Sequence, residues 1–457
     1  MLVPRCRASA LERPLSDNQR SGVRLRLAAP LAGTSQIYRS SYALILTTGA
    51  TALLGLVFWI AAARLYPADV VGLGAGGISA MQLAALVGWV GLQFTVMRYV
   101  PVAGARRRRL VATVYAVAMA TALLAALLFV VGFASAAKVP YVGDSLLHAV
   151  AFCLCVLSWA IFSLQDAVLV GIRRAFLVPV ENTAYGALKL VLLVCLSAID
   201  DPWVLLGVWA GSTAVLIAVV NWVLFRRLLK ADGVRPQLPR SRQIARFSAG
   251  HTAVAVTGFL PDFVVPLLIL SYLDEAANAY YYAAWMVGFS IRLLAMNLTN
   301  VLTVEGAYGE DPVSALMRSI IRLSLTILLP VMCVLLVFAE LILSVFGPRY
   351  ADEAGPLLRL FAISLVPYTI ATLVVAYDRV RERFGAALAI TGVGTVATIA
   401  LDMVLIPSLG ITGAGLGWLG GQMVAAVVAA VLMARGARTP ADVAAPQNGP
   451  PDVSGSI

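Results

Sequence analysis

Several ionisable side chains lie inside long apolar segments of the chain, where an unpaired charge is unfavourable, and five of them are candidate functional residues. Two of them, Asp262 and Arg292, lie on consecutive segments. A charge at the centre of a membrane helix costs at least about 2.5–3.5 kcal/mol, so it needs a partner or a water-filled cavity. Counted from a turn near Ala276, the two residues lie at similar depths, which predicts an ion pair. The functional alternative is that the planar guanidinium of Arg292 binds the oxygens of a diphosphate.

The other three ionisable residues lie in the first half of the chain. Asp166 and Glu181 are nearly equidistant from a turn at Arg173 and Arg174, so antiparallel neighbouring helices would bring them to similar depth. Two carboxylates held close together are typical of a proton or sodium site. We therefore take Asp166, Glu181 and Lys189 as candidate ion-coupling residues. The competing interpretation is structural, with the carboxylates paired to Arg173, Arg174 or Lys189.

Aromatic residues cluster at the start of the segment that carries Arg292. Residues 280–282 are three tyrosines, and Trp285 follows one turn later. Such a cluster is typical of the aromatic belt at a membrane interface. The alternative is stacking against sugar rings, which makes Tyr281 and Trp285 candidate substrate contacts beside Arg292. We expect Asp402, near the end of a later segment, to be a packing or capping group.

These residues are distributed over about twelve long apolar segments. A membrane-spanning helix needs about 20 mostly apolar residues, and 61% of the 457 residues are hydrophobic. The candidate spans are residues 42–63, 76–98, 110–133, 146–170, 175–198, 203–225, 253–272, 278–304, 319–345, 357–377, 384–405 and 413–433. The sequence therefore predicts an all-α polytopic membrane protein with twelve transmembrane helices.

The basic residues indicate the orientation of these spans. Most of the 34 Lys and Arg residues fall in the termini and in every second gap, as in residues 106–109, whereas the alternate gaps are acidic. By the positive-inside rule, both termini lie in the cytoplasm. Basic loops facing anionic lipid account for the net charge of +11, so we expect no nucleic-acid partner. The run 106–109 is a topology anchor first and a lipid-headgroup site second.

The longest basic gap divides the spans into six and six. Weak sequence similarities between the two sets of spans, such as that of residues 171–176 to residues 379–384, indicate two repeats that run in the same direction. Transporters commonly bind their substrate between such repeats. The predicted domains are a cytoplasmic tail at 1–41, a six-helix lobe at 42–225, a cytoplasmic linker at 226–246, a second six-helix lobe at 247–433 and a cytoplasmic tail at 434–457.

Three stretches carry a recognisable pattern: residues 58–72 with 97–101, residues 260–266 with 279–285, and residues 401–415, where Leu-Ile-Pro precedes Gly-Ile-Thr-Gly-Ala. They resemble the polysaccharide-export branch of the multidrug/oligosaccharidyl-lipid/polysaccharide flippase superfamily. The first span lacks the arginine pattern usual in lipid II flippases.

The resemblance implies two six-helix lobes around a central cavity, in a multi-pass protein of the bacterial plasma membrane. It implies a flippase that moves a lipid-linked oligosaccharide, a polyprenyl-diphosphate glycan, from the inner to the outer leaflet. The movement would occur by alternating access and serve cell-surface polysaccharide biosynthesis. Membrane lipid and polysaccharide-assembly enzymes are the expected partners. Arg292, Asp262, Tyr281 and Trp285 are the candidate substrate-binding residues.

Two other functions are weighed against this one. A cation-coupled multidrug exporter of the same superfamily would bind cationic drugs through its carboxylates, but the cationic Arg292 argues against it. A membrane glycan polymerase or ligase would carry a large outer loop, and the outer gaps here are short. The five cysteines and two histidines form no zinc or redox motif. We therefore predict a protein that is not an enzyme, with no catalytic residue, no metal and no cofactor.

Overall fold

The computed structural model describes residues 53–134, 136–229, 238–308, 313–381 and 383–436. The predicted tails apart from residues 434–436, the beginning of the first span at 42–52 and the linker residues 230–237 lie outside the described residues. Within the described ranges the regular elements are helices, and no β-strand is present among them.

The α-helices follow the predicted spans closely. In chain order they are α1 (Leu53–Leu65), α2 (Ala68–Trp89), α3 (Leu92–Tyr99), α4 (Arg107–Gly132), α5 (Leu146–Gly171), α6 (Leu177–Cys195), α7 (Trp203–Val223), α8 (Ser241–Tyr272), α9 (Glu275–Tyr308), α10 (Val313–Leu343), α11 (Pro348–Val380) and α12 (Phe384–Gly436). Short 3₁₀ turns lie at Gly104–Arg106 and Pro140–Val142, and a π-helical turn at Leu224–Leu228 extends α7.

Among the described residues, nine helices are long and apolar enough to cross a membrane. The second predicted span falls on α2 and α3, which are separated by a break at Val90 and Gly91. The last two predicted spans fall on the two arms of α12, which bends at Gly410, where φ is 61°. That left-handed conformation favours glycine because it has no Cβ. The all-α polytopic fold is thus confirmed, whereas the number of twelve spans stays a prediction.

Several helices begin at polar residues of the predicted outer gaps. The Ser145 hydroxyl accepts a hydrogen bond from the backbone N–H of His148 at the start of α5. The carboxylate of Asp201 accepts the N–H of Trp203 at the start of α7, and Asp274 accepts the N–H of Ala277 in α9. Each bond satisfies a backbone donor that has no partner inside its helix. Polar residues of the predicted outer gaps, two of them acidic, therefore cap these three helices.

We use "N-terminal half" for residues 53–229 and "C-terminal half" for residues 238–436. Helix α2 lies at their junction, since it packs on α4, α5 and α7 of its own half and on α8 and α9 of the other. Its close approach to α9 depends on Gly72, where a Cβ would overlap the carbonyl oxygen of Glu275. The Asn278 side chain donates to the Gly72 carbonyl at 2.7 Å, which fixes this contact.

The halves contact each other at both ends of the bundle. At the predicted outer end, the Arg64 guanidinium donates to the carbonyl oxygens of Ser344 and Val345, both at 2.9 Å. At the predicted inner end, α3 packs on α8, and the rings of Phe94 and His251 stack with centroids 4.6 Å apart. If the halves move relative to each other, these contacts must break and others must form.

Candidate functional site

The predicted ion pair between α8 and α9 is present. Arg292 Nη2 donates to Asp262 Oδ1 at 2.6 Å, and both side chains are buried. The depth argument from the sequence is therefore confirmed. The indole of Trp285, also on α9, donates to the same carboxylate oxygen at 3.3 Å. Asp262 is thus held by two donors from the neighbouring helix, and its charge is compensated inside the apolar bundle.

Aromatic rings surround the guanidinium of Arg292. Its Cζ lies 4.4 Å from the ring centroid of Trp418, 5.1 Å from that of Phe289 and 5.6 Å from that of Tyr368. The π-face of an aromatic ring attracts a cation, most strongly where water is excluded. The rings come from α9, α11 and α12, so four helices cooperate to hold one guanidinium. Trp418 and Tyr368 were not among the residues predicted from the sequence.

A cavity of about 160 Å³ opens beside this pair, between α8, α9, α11 and α12. Asp262, Arg292 and Arg379 all line it, and among the described residues they are its only ionisable lining side chains apart from the phenol of Tyr368. The sequence placed Arg379 in a cytoplasmic gap, but α11 continues to Val380 and carries it to the cavity. Its Nε is buried and has no hydrogen-bond partner among the described residues. Two guanidinium groups and one carboxylate give the cavity an excess of positive charge.

The aromatic cluster at the start of α9 does not form an interfacial belt. Tyr281, Tyr282 and Trp285 are 1%, 2% and 7% exposed, so they lie in the core of the bundle. Composition alone could not distinguish the two environments, because interfaces and cores both favour aromatic rings. Tyr281 packs edge-on against Phe361, away from the cavity lining. Of the two aromatic residues predicted to contact substrate, only Trp285 touches the Asp262 and Arg292 pair.

The predicted carboxylate pair of the N-terminal half has different partners from those expected. Asp166 on α5 accepts hydrogen bonds from the side-chain amide of Asn182 on α6, at 3.1 and 3.3 Å. Glu181 is 4% exposed, and neither of its carboxylate oxygens has a hydrogen-bond partner in the described part of the chain. Within that part, neither carboxylate pairs with Arg173, Arg174 or Lys189. The structural interpretation as ion pairs is therefore wrong.

Lys189 lies in a cage of aromatic rings. Its Nζ is 4.3 Å from the ring centroids of Phe58 and Trp209 and 4.9 Å from that of Tyr185. The rings come from α1, α6 and α7, and Trp159 of α5 packs on Trp209 with centroids 5.2 Å apart. The side chain is 4% exposed. Its positive charge therefore faces π-systems, with no carboxylate contact among the described residues.

Asp402 does not cap a helix. It lies within the first arm of α12, is fully buried and accepts no hydrogen bond from the described residues. Its carboxylate packs against Gly417 on the second arm, where a Cβ would overlap Oδ1. The expected packing role fits this position, and the expected capping role is wrong. No three His, Cys, Asp or Glu side chains gather at a possible metal site in the part of the chain that the structure describes.

Comparisons with known proteins identify the fold and the family. Residues 190–444, just over half of the chain, match the family model described as lipid II flippase MurJ. The match includes Asp262 and Arg292 but excludes Asp166, Glu181 and almost all of α1 to α6. No curated protein sequence matches the chain.

Solved structures of two kinds share the fold. A lipid II flippase MurJ in an inward closed conformation superposes with a TM-score of 0.67 at 11% identity, over 86% of this chain and 87% of that one. An inward-facing multidrug resistance MATE transporter of the MOP superfamily gives 0.63 at 19% identity, over 85% and 95%. A MOP superfamily transporter from Pyrococcus furiosus, described as having a binding pocket of reversed polarity, gives 0.57 at 18%, over 86% and 94%.

The predicted superfamily is therefore confirmed, and with it a multi-pass membrane transporter. The matching family model is named for lipid II, and the lipid-linked oligosaccharide expected from the sequence motifs stays a prediction. Since the family model covers more than half of the chain, the protein belongs to the lipid II flippase MurJ family.

Proposed function

We propose that the protein flips a polyprenyl-diphosphate-linked saccharide across the membrane, and that the cavity between α8, α9, α11 and α12 receives the diphosphate. The observation that carries the proposal is the charge of this cavity, where Arg292 and Arg379 outnumber Asp262. Guanidinium groups bind phosphate oxygens through parallel hydrogen bonds. A diphosphate would supply negative charge to the guanidinium groups that one carboxylate leaves in excess.

The size of the cavity fits the diphosphate part of the cargo. About 160 Å³ is room for on the order of ten water-sized groups, which is enough for a diphosphate. The sugar would then lie outside the cavity, between the halves, while the polyprenyl chain stays in lipid. Trp418, Phe289 and Tyr368 keep the guanidinium oriented after Asp262 releases it, because their π-faces attract the cation in either state.

Two cargoes share the diphosphate and differ in the saccharide. Lipid II is the cargo in the name of the family, and a cell-surface oligosaccharide is the cargo that the sequence motifs favour. We take lipid II as the first cargo to test, because the family match covers the half that contains the cavity. In either case transport runs from the inner to the outer leaflet by alternating access, in a bacterial plasma membrane with both termini in the cytoplasm.

The second candidate is a cation-coupled multidrug exporter. The observation that favours it is the fold similarity to a MATE transporter, with a TM-score of 0.63. A cationic drug would require unpaired carboxylates in the binding cavity. Asp262 is already paired with Arg292 there, and Arg379 adds a further positive charge. The flippase function therefore fits the cavity better.

Flipping in proteoliposomes tests the proposal. Fluorescent lipid II, an oligosaccharide diphosphate lipid and a cationic dye are offered separately, and the appearance of each on the opposite side is measured. We expect Arg292→Ala and Arg379→Ala to abolish flipping of a diphosphate lipid, and Arg292→Lys to retain part of it. The matched control is Arg359→Ala, which breaks a surface pair with Glu340 at 3.0 Å.

Two results would contradict the proposal. One is transport of the cationic dye without flipping of either lipid. The other is full flipping by the double variant Arg292→Ala with Asp262→Ala, which would make the pair purely structural. Protein abundance in the membrane is measured alongside, because Asp262 left alone destabilises the bundle.

A further inference from the structure

A long groove separates α4 of the N-terminal half from α8 of the C-terminal half. It encloses about 990 Å³, at the upper end of the range for ligand pockets. One wall follows a single face of α4 from Arg106 and Arg109 through Val117 to Thr121. This groove is distinct from the cavity around Arg292, with which it shares no ionisable residue.

The length of the groove matches one leaflet of a bilayer. At 1.5 Å per residue, the α4 wall from residue 106 to residue 121 is roughly 22 Å long, and the α8 wall from Ser241 to Thr257 is roughly 24 Å long. One leaflet with its headgroups is about 20–22 Å thick. A lipid with its phosphate beside Arg106 and Arg109 would therefore end its acyl chains near the midplane.

The groove offers little to a saccharide, although several hydroxyl groups line it. Thr121 donates to the Val117 carbonyl of its own helix, and Thr257 donates to the Ala253 carbonyl. Thr95 and Ser248 bond to each other across the junction of the halves. These four hydroxyls are occupied, whereas Thr113, Ser241 and Thr252 also line the groove, and the rest of the walls is aliphatic apart from Arg106 and Arg109. An apolar chain fits such walls, and a sugar would lose its hydrogen bonds to water there.

The four arginines at residues 106–109 lie at the predicted cytoplasmic end of the groove and divide into two pairs. Arg107 donates to the Val100 carbonyl at 3.3 Å, and the guanidinium of Arg108 lies 5.9 Å from the ring centroid of Phe225. Each therefore has a contact within the protein and neither lines the groove, although Arg108 is also exposed. Arg106 and Arg109 are exposed and line the groove. Basic pockets between transmembrane helices on the cytoplasmic side bind anionic headgroups.

We propose that this groove binds one anionic phospholipid of the cytoplasmic leaflet. Its phosphate lies against Arg106 and Arg109, and its acyl chains lie between α4 and α8. Because the two walls belong to different halves, the bound lipid stabilises the arrangement in which α4 and α8 stand apart. The site adds a resident lipid to the protein and does not depend on the identity of the cargo.

Binding of lipid to the purified full chain tests this site. In neutral detergent, native mass spectrometry measures the occupancy of phosphatidylglycerol and of phosphatidylcholine. An arginine near an anionic headgroup contributes about fivefold, so Arg106→Ala with Arg109→Ala should weaken binding of phosphatidylglycerol about 30-fold. The matched control is Arg107→Ala with Arg108→Ala, which removes the same two charges from the same run and should change binding less than twofold. An equal loss in the control would overturn the proposal, because the attraction would then be diffuse.

A second pair of variants tests the apolar part of the groove. Ala249 is exposed in the groove, and Ala116 is exposed on another face of α4. We expect Ala249→Trp to exclude the lipid and Ala116→Trp to leave its binding unchanged. Inorganic phosphate is added as a competitor. Full displacement by phosphate, or equal binding of phosphatidylcholine, would show that no anionic phospholipid is selected and would overturn the proposal.

Discussion

The two halves of the protein each bury a cation, and they surround it differently. In the C-terminal half, Arg292 contacts the carboxylate of Asp262 at 2.6 Å and has aromatic rings around it. In the N-terminal half, Lys189 has rings on three sides and no carboxylate contact among the described residues. The buried carboxylate of Glu181 lies two turns from Lys189 on the same helix, and it has no hydrogen-bond partner among the described residues.

The difference follows from the chemistry of the two side chains. An arginine side chain stays charged under all ordinary conditions, so its burial requires a fixed counter-charge. A lysine can release its proton when it is buried, and aromatic rings then suffice as neighbours. The C-terminal half thus keeps a charged guanidinium beside a fixed carboxylate. The N-terminal half holds a buried amine and a buried carboxyl group, whose role in ion coupling stays a prediction.

The largest expected effect is that of Arg292→Met. It leaves the carboxylate of Asp262 buried, with only Trp285 as a hydrogen-bond donor. Removing one partner of a buried ion pair costs about 3–5 kcal/mol of the free energy of unfolding. Titration of the purified protein with sodium dodecyl sulfate measures this free energy.

Two further variants check the cause of that loss. Arg359→Met breaks a surface pair and should cost no more than about 1 kcal/mol. The double variant Arg292→Met with Asp262→Leu should recover most of the stability, because no buried charge remains. If Arg292→Met lowers the free energy of unfolding no more than Arg359→Met does, the inferred difference between the two halves is wrong.

The Asp262 and Arg292 pair was predictable from the sequence, and the reason is local. The two residues flank one helical hairpin, so a fixed rise of 1.5 Å per residue determines their relative depth. The spans were predictable for a similar reason, since each is a continuous apolar run. In the same way, Gly410 marks the bend between the two arms of α12.

Features that depend on several helices were not predictable. The cage of Lys189 takes its rings from α1, α6 and α7, and the sequence does not contain the angles at which these helices pack. Arg379 reaches the cavity only because α11 extends past the end of its apolar run. The sequence assigned Tyr281 and Tyr282 to a membrane interface, whereas both are buried. Their burial depends on how the neighbouring helices pack, which the sequence does not show.

A smaller effect is expected for Lys189→Met. The variant loses a cation–π attraction of about 2 kcal/mol, but it also removes the cost of burying an ammonium group. The two changes largely cancel, so the free energy of unfolding should stay within about 1 kcal/mol of the unaltered protein. Thermal unfolding in detergent measures the difference. If Lys189→Met lowers the free energy of unfolding as much as Arg292→Met does, both cations are stabilised in the same way. The inferred difference between the two halves would then be wrong.

The smallest effect on stability is expected for Glu181→Gln, and it tests the role of the N-terminal half. Glutamine keeps the shape of the side chain, and neither carboxylate oxygen has a partner to lose among the described residues. The free energy of unfolding should therefore change by less than about 0.5 kcal/mol. Asp166→Asn is the matched control, since Asp166 has a hydrogen bond from Asn182 that its amide would weaken.

Transport must then be measured with and without an imposed gradient of protons or sodium ions across the proteoliposome membrane. If Glu181 carries the coupling ion, Glu181→Gln flips its cargo at one rate in all conditions, because an amide neither binds a proton near neutral pH nor carries a charge for sodium. Arg359→Ala, remote from both halves' buried cations, keeps the full response. A gradient response in Glu181→Gln equal to that of the unaltered protein would remove Glu181 from the coupling mechanism. Asp166 and the caged amine of Lys189 would then be the remaining candidates for ion coupling in that half.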